Sequence, residues 1–530
     1  MFAFALWNRD TRELSLVRDR FGEKPLYYGW AGRDFIFGSE LKALKAHPQF
    51  QVQIDRSSLN DFARRGYVPA PRSIYRNVFK LEPGCVLTLT QAAAGVIRDQ
   101  PVQEDRPEDG CRLTRYWSYR QVVNDGLGQP IADEADALSM LDQVLSLAVR
   151  NQTVADVPVG AFLSGGIDSS TVVALYQKYA STPMHTFSIG FEEEQFNEAH
   201  HAKAIAQQLG TVHAERYVTV AETQNVIPLL PAMYDEPFAD SSQIPTFLVS
   251  KFAREQVTVA LSGDGGDELF GGYNRHVLAP PLWHHMNTLP YAVRTKIAGP
   301  LSRVPARVWS RAAALSPGRA QPHFGTKVQK ALRIAAGATQ FEDVFASFLD
   351  EWSFTRSPVL GAAGQGTTFD MALRDGTPEA VRMMYCDAVS YLPDDILCKV
   401  DRASMAVSLE TRTPFLDHRV AELASRIPLS MKMRRGTGKH ILRELLFANA
   451  PRKLFDRPKA GFGIPVGTWI RGPLRDWAED LLDEKRMVEA GYFDAALIHR
   501  RWQDHLNGRI DATPSIWSIL MFEAWQRANF

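Results

Sequence analysis

The sequence predicts an α/β protein with a β-rich part at its N-terminus and a larger part that contains a doubly wound parallel sheet and a helical extension. Residues 1–120 hold short apolar runs separated by turns, whereas strand-like and helix-like segments alternate after Asp133. The run Val257–Leu261 is apolar apart from Thr258, which is typical of a strand buried in a parallel sheet. We therefore expect two domains, at residues 1–120 and 133–530.

The composition is that of a globular protein without a strongly charged partner. The chain has 530 residues, of which 45% are hydrophobic, and 60 basic residues balance 60 acidic ones. This balance gives no bulk attraction to nucleic acid, and no apolar run is long enough to span a membrane. The four cysteines lack metal-binding spacing, which favours a reducing compartment. We therefore expect a cytoplasmic protein, with neither nucleic acid nor membrane as a partner.

The elements can be placed from the apolar pattern of each segment. In the N-terminal part, strand-like runs cover residues 2–7, 14–18, 25–30, 35–38 and 86–90, and the polar residues 91–128 are interpreted as irregular. In the second part, strands are predicted at residues 157–163, 183–191, 212–218 and 257–261. A helix is predicted over Asn197–Leu209, ending at Gly210. From about residue 280 the pattern is mostly helical, apart from a Gly-rich loop at residues 362–368.

The most informative segment is SGGIDSS, at residues 164–170, between an apolar strand and a helical pattern. Its two glycines let a phosphate approach the backbone, and the amide groups at the start of the helix attract an anion. Its three serines add hydroxyl donors, whereas the carboxylate of Asp168 would repel phosphate unless a metal ion lay between them. The segment therefore predicts a site for Mg²⁺-bound polyphosphate. The candidate residues are Ser164, Gly165, Gly166, Asp168, Ser169 and Ser170.

A second polar segment, SGDGGDELFGGY, covers residues 262–273 and directly follows the run Val257–Leu261. Its three acids, Asp264, Asp267 and Glu268, would repel one another unless a cation or a proton intervened. Ligands of open α/β sheets bind beyond the carboxyl ends of the strands, where both segments are predicted to lie. We therefore expect the segments to converge on one Mg²⁺ ion shared by Asp168 and Asp267. A solvated acidic turn is the plain alternative.

The two segments together resemble the pyrophosphate loops of the N-type ATP pyrophosphatases and, more specifically, those of the glutamine-hydrolysing asparagine synthetases. Ser164–Ser170 and Ser262–Glu268 are similar to the two signatures of that family. The resemblance implies that Ser262 and Gly263 help to bind ATP and that Asp264 steers the attacking ammonia or its proton. The better-studied members carry Glu at the position of Asp264, so the aspartate keeps the charge but has a shorter reach.

Further stretches extend the resemblance toward the C-terminus. Residues 392–417 look like the long helical signature of the family, which packs against the site. That stretch carries the charged residues Asp394, Asp395, Asp401, Arg402, Glu410 and Arg412. Gly436–Lys439 is similar to the loop whose lysine approaches the phosphates of ATP, which makes Lys439 a candidate for both binding and catalysis. Residues 455–465 also match the family, either as a structural turn or as part of the site.

The adenine side of the pocket is implied by two shorter matches. In the family, the stretch at residues 188–191 contacts adenine through its backbone, and this makes Ile189 a candidate. Asp240 and Ser241 would face the same pocket.

The N-terminal part resembles the later portion of the family's glutaminase domain, an α+β fold of the N-terminal-nucleophile type. Residues 18–28 and 38–44 carry this similarity. In that domain a cysteine at the N-terminus attacks the amide of glutamine, with its own α-amine as base. Phe2 stands near the N-terminus here, and Cys85 is interpreted as a small buried residue. We therefore expect no glutaminase nucleophile and a domain that lacks roughly its first half, through a misplaced start codon or a true loss.

The resemblance implies an ATP-dependent amide ligase that uses ATP and Mg²⁺. A substrate carboxylate would attack ATP, pyrophosphate would leave, and ammonia would attack the acyl-adenylate. L-Aspartate is the expected acceptor, with ammonia as nitrogen donor or glutamine in full-length members, and a homodimer is the expected assembly if the chain associates. The alternatives are another carboxylate such as a polysaccharide sugar acid or a β-lactam precursor, a non-catalytic nucleotide-binding scaffold, and a tRNA-modifying pyrophosphatase.

Overall fold

The structure is a computed structural model. It describes residues 1–104, 110–191, 197–314, 324–362, 371–456 and 463–530. Residues 363–368 of the Gly-rich loop and residues 457–462 of the stretch 455–465 lie outside the described residues.

Two antiparallel sheets form most of the N-terminal part. Their strands are β1 (Ala3–Asn8), β2 (Glu13–Arg18), β3 (Tyr27–Ala31), β4 (Asp34–Gly38), β5 (Val78–Lys80), β6 (Cys85–Thr90) and β7 (Cys111–Arg115). The strand orders are β1-β2-β6-β7 in one sheet and β4-β3-β5 in the other. Buried side chains of both sheets, such as Leu16 and Tyr28, belong to one apolar cluster. The interpretation of residues 91–128 as irregular is wrong, because β7 lies there and alternates buried with exposed side chains.

A five-stranded parallel sheet lies in the second part of the chain. Its strands are β8 (Val159–Phe162), β9 (His185–Phe191), β10 (Val212–Val218), β11 (Val259–Leu261) and β12 (Glu410–Arg412), in the order β10-β9-β8-β11-β12. The prediction that residues 408–417 continue a helix is wrong, because they contain β12. This strand lies at the edge of the sheet, where its Thr411 pairs with Ala260 of β11.

The remaining elements are mostly helical. Those of the first part are α1 (Leu41–Lys45), α2 (Arg56–Arg65), α3 (Gln91–Ala94) and α4 (Tyr119–Gly128). Those between and beside the parallel strands are α5 (Glu134–Gln152), α6 (Ile167–Tyr179), α7 (Ala199–Leu209), α8 (Val220–Gln224), α9 (Leu230–Met233), α10 (Gln243–Arg254) and α11 (Gly266–Phe270). The helical extension that follows begins with α12 (Asn274–Met286), α13 (Tyr291–Ser302), α14 (Ala306–Ala314), α15 (Phe324–Gly337), α16 (Phe341–Leu349) and α17 (Glu379–Cys386).

A π-helix, Asp387–Ile396, leads into the last group of helices. They are α18 (Leu397–Met405), α19 (His418–Arg426), α20 (Leu429–Lys432), α21 (His440–Phe447), α22 (Val466–Arg471), α23 (Arg475–Leu481), α24 (Glu484–Ala490), α25 (Ala495–Leu506) and α26 (Thr513–Asn529). Short 3-10 turns cover Ile227–Leu229, Pro414–Leu416 and Arg452–Leu454. Among the helices of the described ranges, none has both the length and the hydropathy that crossing a bilayer requires.

The order of the parallel strands determines where a ligand can bind. From β8 the chain moves outward to β9 and β10, and it then returns to place β11 and β12 on the other side of β8. The turns after β8 and β11 therefore lie side by side at the carboxyl edge of the sheet, where the direction of winding reverses. Helix α6 begins after the first turn and α11 after the second. These turns are the two polar segments that the sequence analysis singled out.

Helices from opposite ends of the chain pack together. Two residues cap helix α2. Before its first residue, the carboxylate of Asp55 accepts hydrogen bonds from two backbone amides, and after its last residue Gly66 adopts a φ of 85°. The hydroxyl of Ser518 in α26 donates to the backbone oxygen of Ala63 in α2, at 3.1 Å. One buried cluster includes side chains of α2 and α26. The first part of the chain therefore shares a core with the second.

Candidate active site

The first turn is built to bind an anion through its backbone. Gly165 adopts a φ of 75°, a left-handed conformation that favours glycine, and Gly166 is the extended residue before α6. Among the described residues, no side chain caps the N-terminus of α6, so the start of this helix can accept an anion such as phosphate. The hydroxyl oxygens of Ser164 and Ser169 lie 3.1 Å apart beside it. Ser170, by contrast, is fully buried and does not line the cavity.

The second turn touches the first because glycines leave room for the contact. A Cβ atom on Gly263 would lie 2.7 Å from the backbone nitrogen of Ser169 and 2.9 Å from the Cβ atom of Asp168. A Cβ atom on Gly266 would lie 2.5 Å from Oδ1 of Asp168. Any larger residue at these two positions would push the turns apart. The convergence that the sequence suggested is therefore present.

Lys439 lies between the two predicted metal ligands. Its Nζ atom is 2.6 Å from Oδ1 of Asp267 and forms a second ion pair with Oδ2 of Asp168. Burial alone would lower the pKa of Lys439, but the charges of Asp168 and Asp267 raise it above its usual value. The backbone holds the lysine there, because Lys439 N donates to the oxygen of Phe270 at 3.1 Å. A cation is thus bound where the sequence analysis expected Mg²⁺.

Asp264 is a partly buried carboxyl group beside this ion-pair cluster. Burial raises its pKa, and the negative charges of Asp168 and Asp267 act in the same direction. The hydroxyl of Ser262 donates to Oδ2 of Asp264 at 2.6 Å, which favours the ionised form. The geometry therefore places an acid of raised pKa in the second turn, within the cavity that the two turns line.

One cavity of about 690 Å³ contains nearly all of the predicted site. Its lining includes Ser164, Gly165, Gly166, Asp168, Ser169, Ile189, Ser262, Gly263, Asp264, Asp267 and Lys439. Asp240 and Ser241 also line it, as do Phe455 and Gly463 from the described ends of the stretch 455–465. The volume is that of a site for a small-molecule substrate or cofactor. Of the predicted binding residues, Ser170 is the one that the structure leaves outside.

Two further cations lie in the cavity lining and were missed as site residues. Lys399 forms an ion pair with Asp240, with 2.7 Å between Nζ and Oδ2. Arg443 is four residues beyond Lys439, on the first turn of α21, and its Nε donates to the oxygen of Gly438 at 3.2 Å. Arg443 lies one turn into the helix that begins just after Lys439, and its backbone nitrogen donates to the oxygen of Lys439 at 2.9 Å. The pairing of Lys399 with a residue so distant in sequence carries no local signal.

The charged residues of the stretch 392–417 have a different place from the one expected. Asp394 accepts a hydrogen bond from the backbone of Ala70 at 2.7 Å, and Asp401 pairs with Lys24 at 2.8 Å. Arg402 pairs with Glu40, at 3.2 Å. These contacts join the second part of the chain to the first. None of the three residues Asp394, Asp401 and Arg402 lines the main cavity.

The donor set around Lys439 suits a Mg²⁺ ion shared with a polyphosphate. Oxygens of Asp168 and Asp267 both reach one ammonium group, so a compact cation at that point would contact both, and Mg²⁺ prefers such oxygen ligands. A Cβ atom on Gly272 would overlap Asp267 and Lys439, and the glycine keeps that space open. Within the described ranges, no group of three or more His, Cys, Asp or Glu side chains is arranged to hold a metal. Phosphate oxygens and water would therefore supply the other ligands.

The environment of Cys85 is that of a structural residue. The side chain is fully buried in the cluster shared by the two antiparallel sheets. Burial raises the pKa of its thiol to about 12, which leaves almost no thiolate at neutral pH.

Comparisons with known proteins identify both parts of the chain. The family described as asparagine synthase matches residues 140–527, and the family described as glutamine amidotransferase domain matches residues 1–99. A protein of Mycobacterium tuberculosis is 34% identical over 541 residues, which cover 99% of this chain and 76% of that protein.

Two other relatives extend the comparison. Asparagine synthetase (glutamine-hydrolyzing) 1 of Bacillus subtilis is 31% identical over 540 residues, which cover 100% of this chain and 77% of that protein. Amidase chry2 of Gibberella zeae is 24% identical over 535 residues, which cover 93% of this chain and 74% of that protein. The first family match spans most of the chain, and the similarity to the B. subtilis protein extends along all of it. The chain therefore belongs to the asparagine synthetase family.

Proposed function

We propose that the chain is an ATP-dependent amide ligase that activates a carboxylate as an acyl-adenylate and transfers the acyl group to ammonia. The observation that carries this proposal is the meeting of two phosphate-binding turns around Lys439, Asp168 and Asp267 in one cavity. The family membership supports a ligase. Residues 133–530, with a doubly wound sheet, form the ligase domain in this proposal, and residues 1–120 are of the glutaminase type.

Binding of the triphosphate follows from the first turn and from Lys439. The start of α6 and the hydroxyls of Ser164 and Ser169 hold phosphate oxygens. Asp168 and Asp267 are the residues that would hold Mg²⁺, which when bound supplies positive charge to the departing pyrophosphate. Lys439 then moves from the two aspartates to the phosphate oxygens. Its side chain lines the same cavity as the two turns, so the phosphate oxygens are within its reach.

Amide formation takes place beside Asp264. An oxygen of the acceptor carboxylate attacks the α-phosphorus of ATP, and the bond to pyrophosphate breaks. The nitrogen of ammonia then attacks the acyl carbon, and AMP leaves with the electron pair of the broken bond. Asp264, which lines the same cavity and has a raised pKa, accepts the proton that the nitrogen loses.

L-Aspartate is the acceptor in this proposal, and asparagine is the product. The names of the relatives support this substrate. Lys399 and Asp240 offer one positive and one negative group to a zwitterionic acceptor in the same cavity. Ammonia is the nitrogen donor, and a glutaminase domain delivers it where glutamine is used.

The proposal is tested by measuring products from ATP, Mg²⁺, ammonium and L-aspartate. The expected products are asparagine, AMP and pyrophosphate in equal amounts. Asp168→Ala and Asp267→Ala should each abolish pyrophosphate release, because the leaving group loses its metal ligand. Asp142→Ala is the matched control, since Asp142 pairs with Lys178 on the surface, and it should keep the wild-type rate.

Two outcomes would contradict different parts of the proposal. Wild-type rates in Asp168→Ala would show that the two turns are not the phosphate site. Turnover with glucuronate and none with L-aspartate would exclude asparagine as the product, and the ligase chemistry would stand.

A further inference from the structure

The cavity of about 690 Å³ around Lys439 is called the reaction cavity below. Another cavity, of about 220 Å³, shares no lining residue with it. Helices α4 and α17 and the segment from α19 to α20 enclose it. Its lining is largely apolar and aromatic, with Val123, Met384, Tyr119 and Tyr385. No aspartate or glutamate is among the described residues that line it. The cavity is therefore apolar, with no negative charge of its own.

Lys432 is the buried cation of this cavity. The residue is 6% exposed, and burial is the one cause of its pKa shift, with no charged or hydrogen-bonding partner among the described residues contributing. The ring of Phe270 is its nearest electron-rich partner, with 5.9 Å from Nζ to the ring centroid. Burial lowers the pKa of Lys432 to about 7. A buried ammonium without a counter-ion is costly, so an anion bound beside Lys432 would stabilise its protonated form.

The other polar groups around the cavity are neutral or positive. Tyr119 and Tyr385 present phenol groups, and burial raises the pKa of Tyr119, which therefore stays protonated. The hydroxyl of Tyr385 accepts a hydrogen bond from Nε of Arg120 at 3.2 Å. Ser425 adds a hydroxyl group, and the guanidinium of Arg426 lies at the rim, bound to the oxygen of Gln129. Each of these groups tolerates or favours a negative ligand.

We propose that this cavity binds a small monocarboxylate with an apolar body, which places its carboxylate on Lys432 and its body among Val123, Met384 and Tyr119. The volume is too small for a nucleotide, and one buried cation matches one negative charge. The apolar lining favours an organic acid over sulfate or phosphate. Most oxygens of those inorganic ions would face apolar side chains and lack hydrogen-bond partners.

The position of Lys432 connects this site to the reaction loop. Phe270, next to Lys432, is the last residue of α11, and α11 begins directly after the second phosphate-binding turn. A carboxylate on Lys432 withdraws the ammonium from the Phe270 ring. The ligand therefore lies beside the helix that carries Asp267 without entering the reaction cavity.

The test uses 4-fluorobenzoate as the probe and ¹⁹F NMR of the full chain as the readout. We expect saturable binding at pH 6, with saturating ATP leaving it unchanged. Binding should weaken about tenfold between pH 6 and pH 8, because the lysine must take up a proton to pair with the carboxylate once the pH exceeds its pKa. Lys432→Met should weaken it at least tenfold, whereas Lys251→Met, an exposed lysine of α10, should leave it unchanged.

Control variants make each outcome decisive. Val123→Phe fills the cavity and keeps Lys432, so it should also abolish binding. If thermal melting shows that Lys432→Met is unfolded, Val123→Phe is the variant used for the test. Equal binding in wild type and both variants would overturn the proposal. Displacement of the probe by ATP would also overturn it, since the probe would then be in the reaction cavity. Equal competition by inorganic sulfate would overturn the organic-acid class.

Discussion

Replacing Lys439 by Met removes the buried cation that the partly buried carboxylates of Asp168 and Asp267 share. The chosen side chain has a similar length, so packing is retained and the charge is lost. With an effective dielectric constant of about 20, Coulomb's law gives about 6 kcal/mol for the 2.6 Å contact with Asp267 alone. Desolvation of the lysine offsets part of this gain. Measured losses on breaking buried pairs of this kind are about 3–5 kcal/mol, which is the destabilisation we expect.

The assay is urea unfolding followed by tryptophan fluorescence, with and without Mg²⁺. Mg²⁺ should restore part of the lost stability of Lys439→Met, because a cation can then bind between Asp168 and Asp267. It should change the wild type little, since the ammonium already occupies that point. Lys178→Met is the control, because Lys178 pairs with Asp142 on the surface, where such pairs contribute at most about 1 kcal/mol.

Either of two results would contradict a counter-ion role for Lys439. A loss below about 1 kcal/mol, equal to that of the surface control, would show that Lys439 is not a structural counter-ion. The absence of any Mg²⁺ effect on the variant would show that the two aspartates do not form a cation site.

Three further predictions concern the rest of the fold. Burial raises the pKa of Glu523 to about 7, so its folded form favours the protonated acid. The wild type should therefore lose about 3 kcal/mol relative to Glu523→Gln as the pH rises from 4 to 8, measured by urea unfolding at each pH, and parallel curves would contradict this. Phe345→Ala, in the buried cluster of the helical extension, should cost about 3–5 kcal/mol and lower the melting temperature. The Cys85 thiol should react with a disulfide reagent only after unfolding, as peptide mass spectrometry can show.

The location of the reaction cavity was predictable because it depends on local patterns. Each polar turn follows an apolar strand, and parallel strands place their carboxyl ends at one edge, so Asp168 and Asp267 were expected at the same edge of the sheet. Lys439 entered through family resemblance alone. No local pattern shows that a lysine 271 residues beyond Asp168 contacts it.

The errors have equally physical causes. Strand β12 has three residues and depends on pairing with β11 for its conformation, so a short polar segment gave no strand signal. Ser170 shares its residue type with Ser164 and Ser169, but it points into the core from the inner face of α6. Which side of a helix start faces the ligand is set by the packing of that helix against the sheet, and residue type does not report it.

The contact between α2 and α26 has a consequence for synthesis of the chain. Ala63 and Ser518 are joined by a hydrogen bond, and the rings of Tyr75 and Trp525 lie 5.9 Å apart, although about 450 residues separate each pair. A ribosome adds about 5–20 residues per second, so α2 emerges roughly 20–90 s before the helix that covers it. During that interval its apolar face is open to other nascent chains and to chaperones. Slower translation of the later segments would lengthen this exposure and lower the yield of folded protein, even with an unchanged amino-acid sequence.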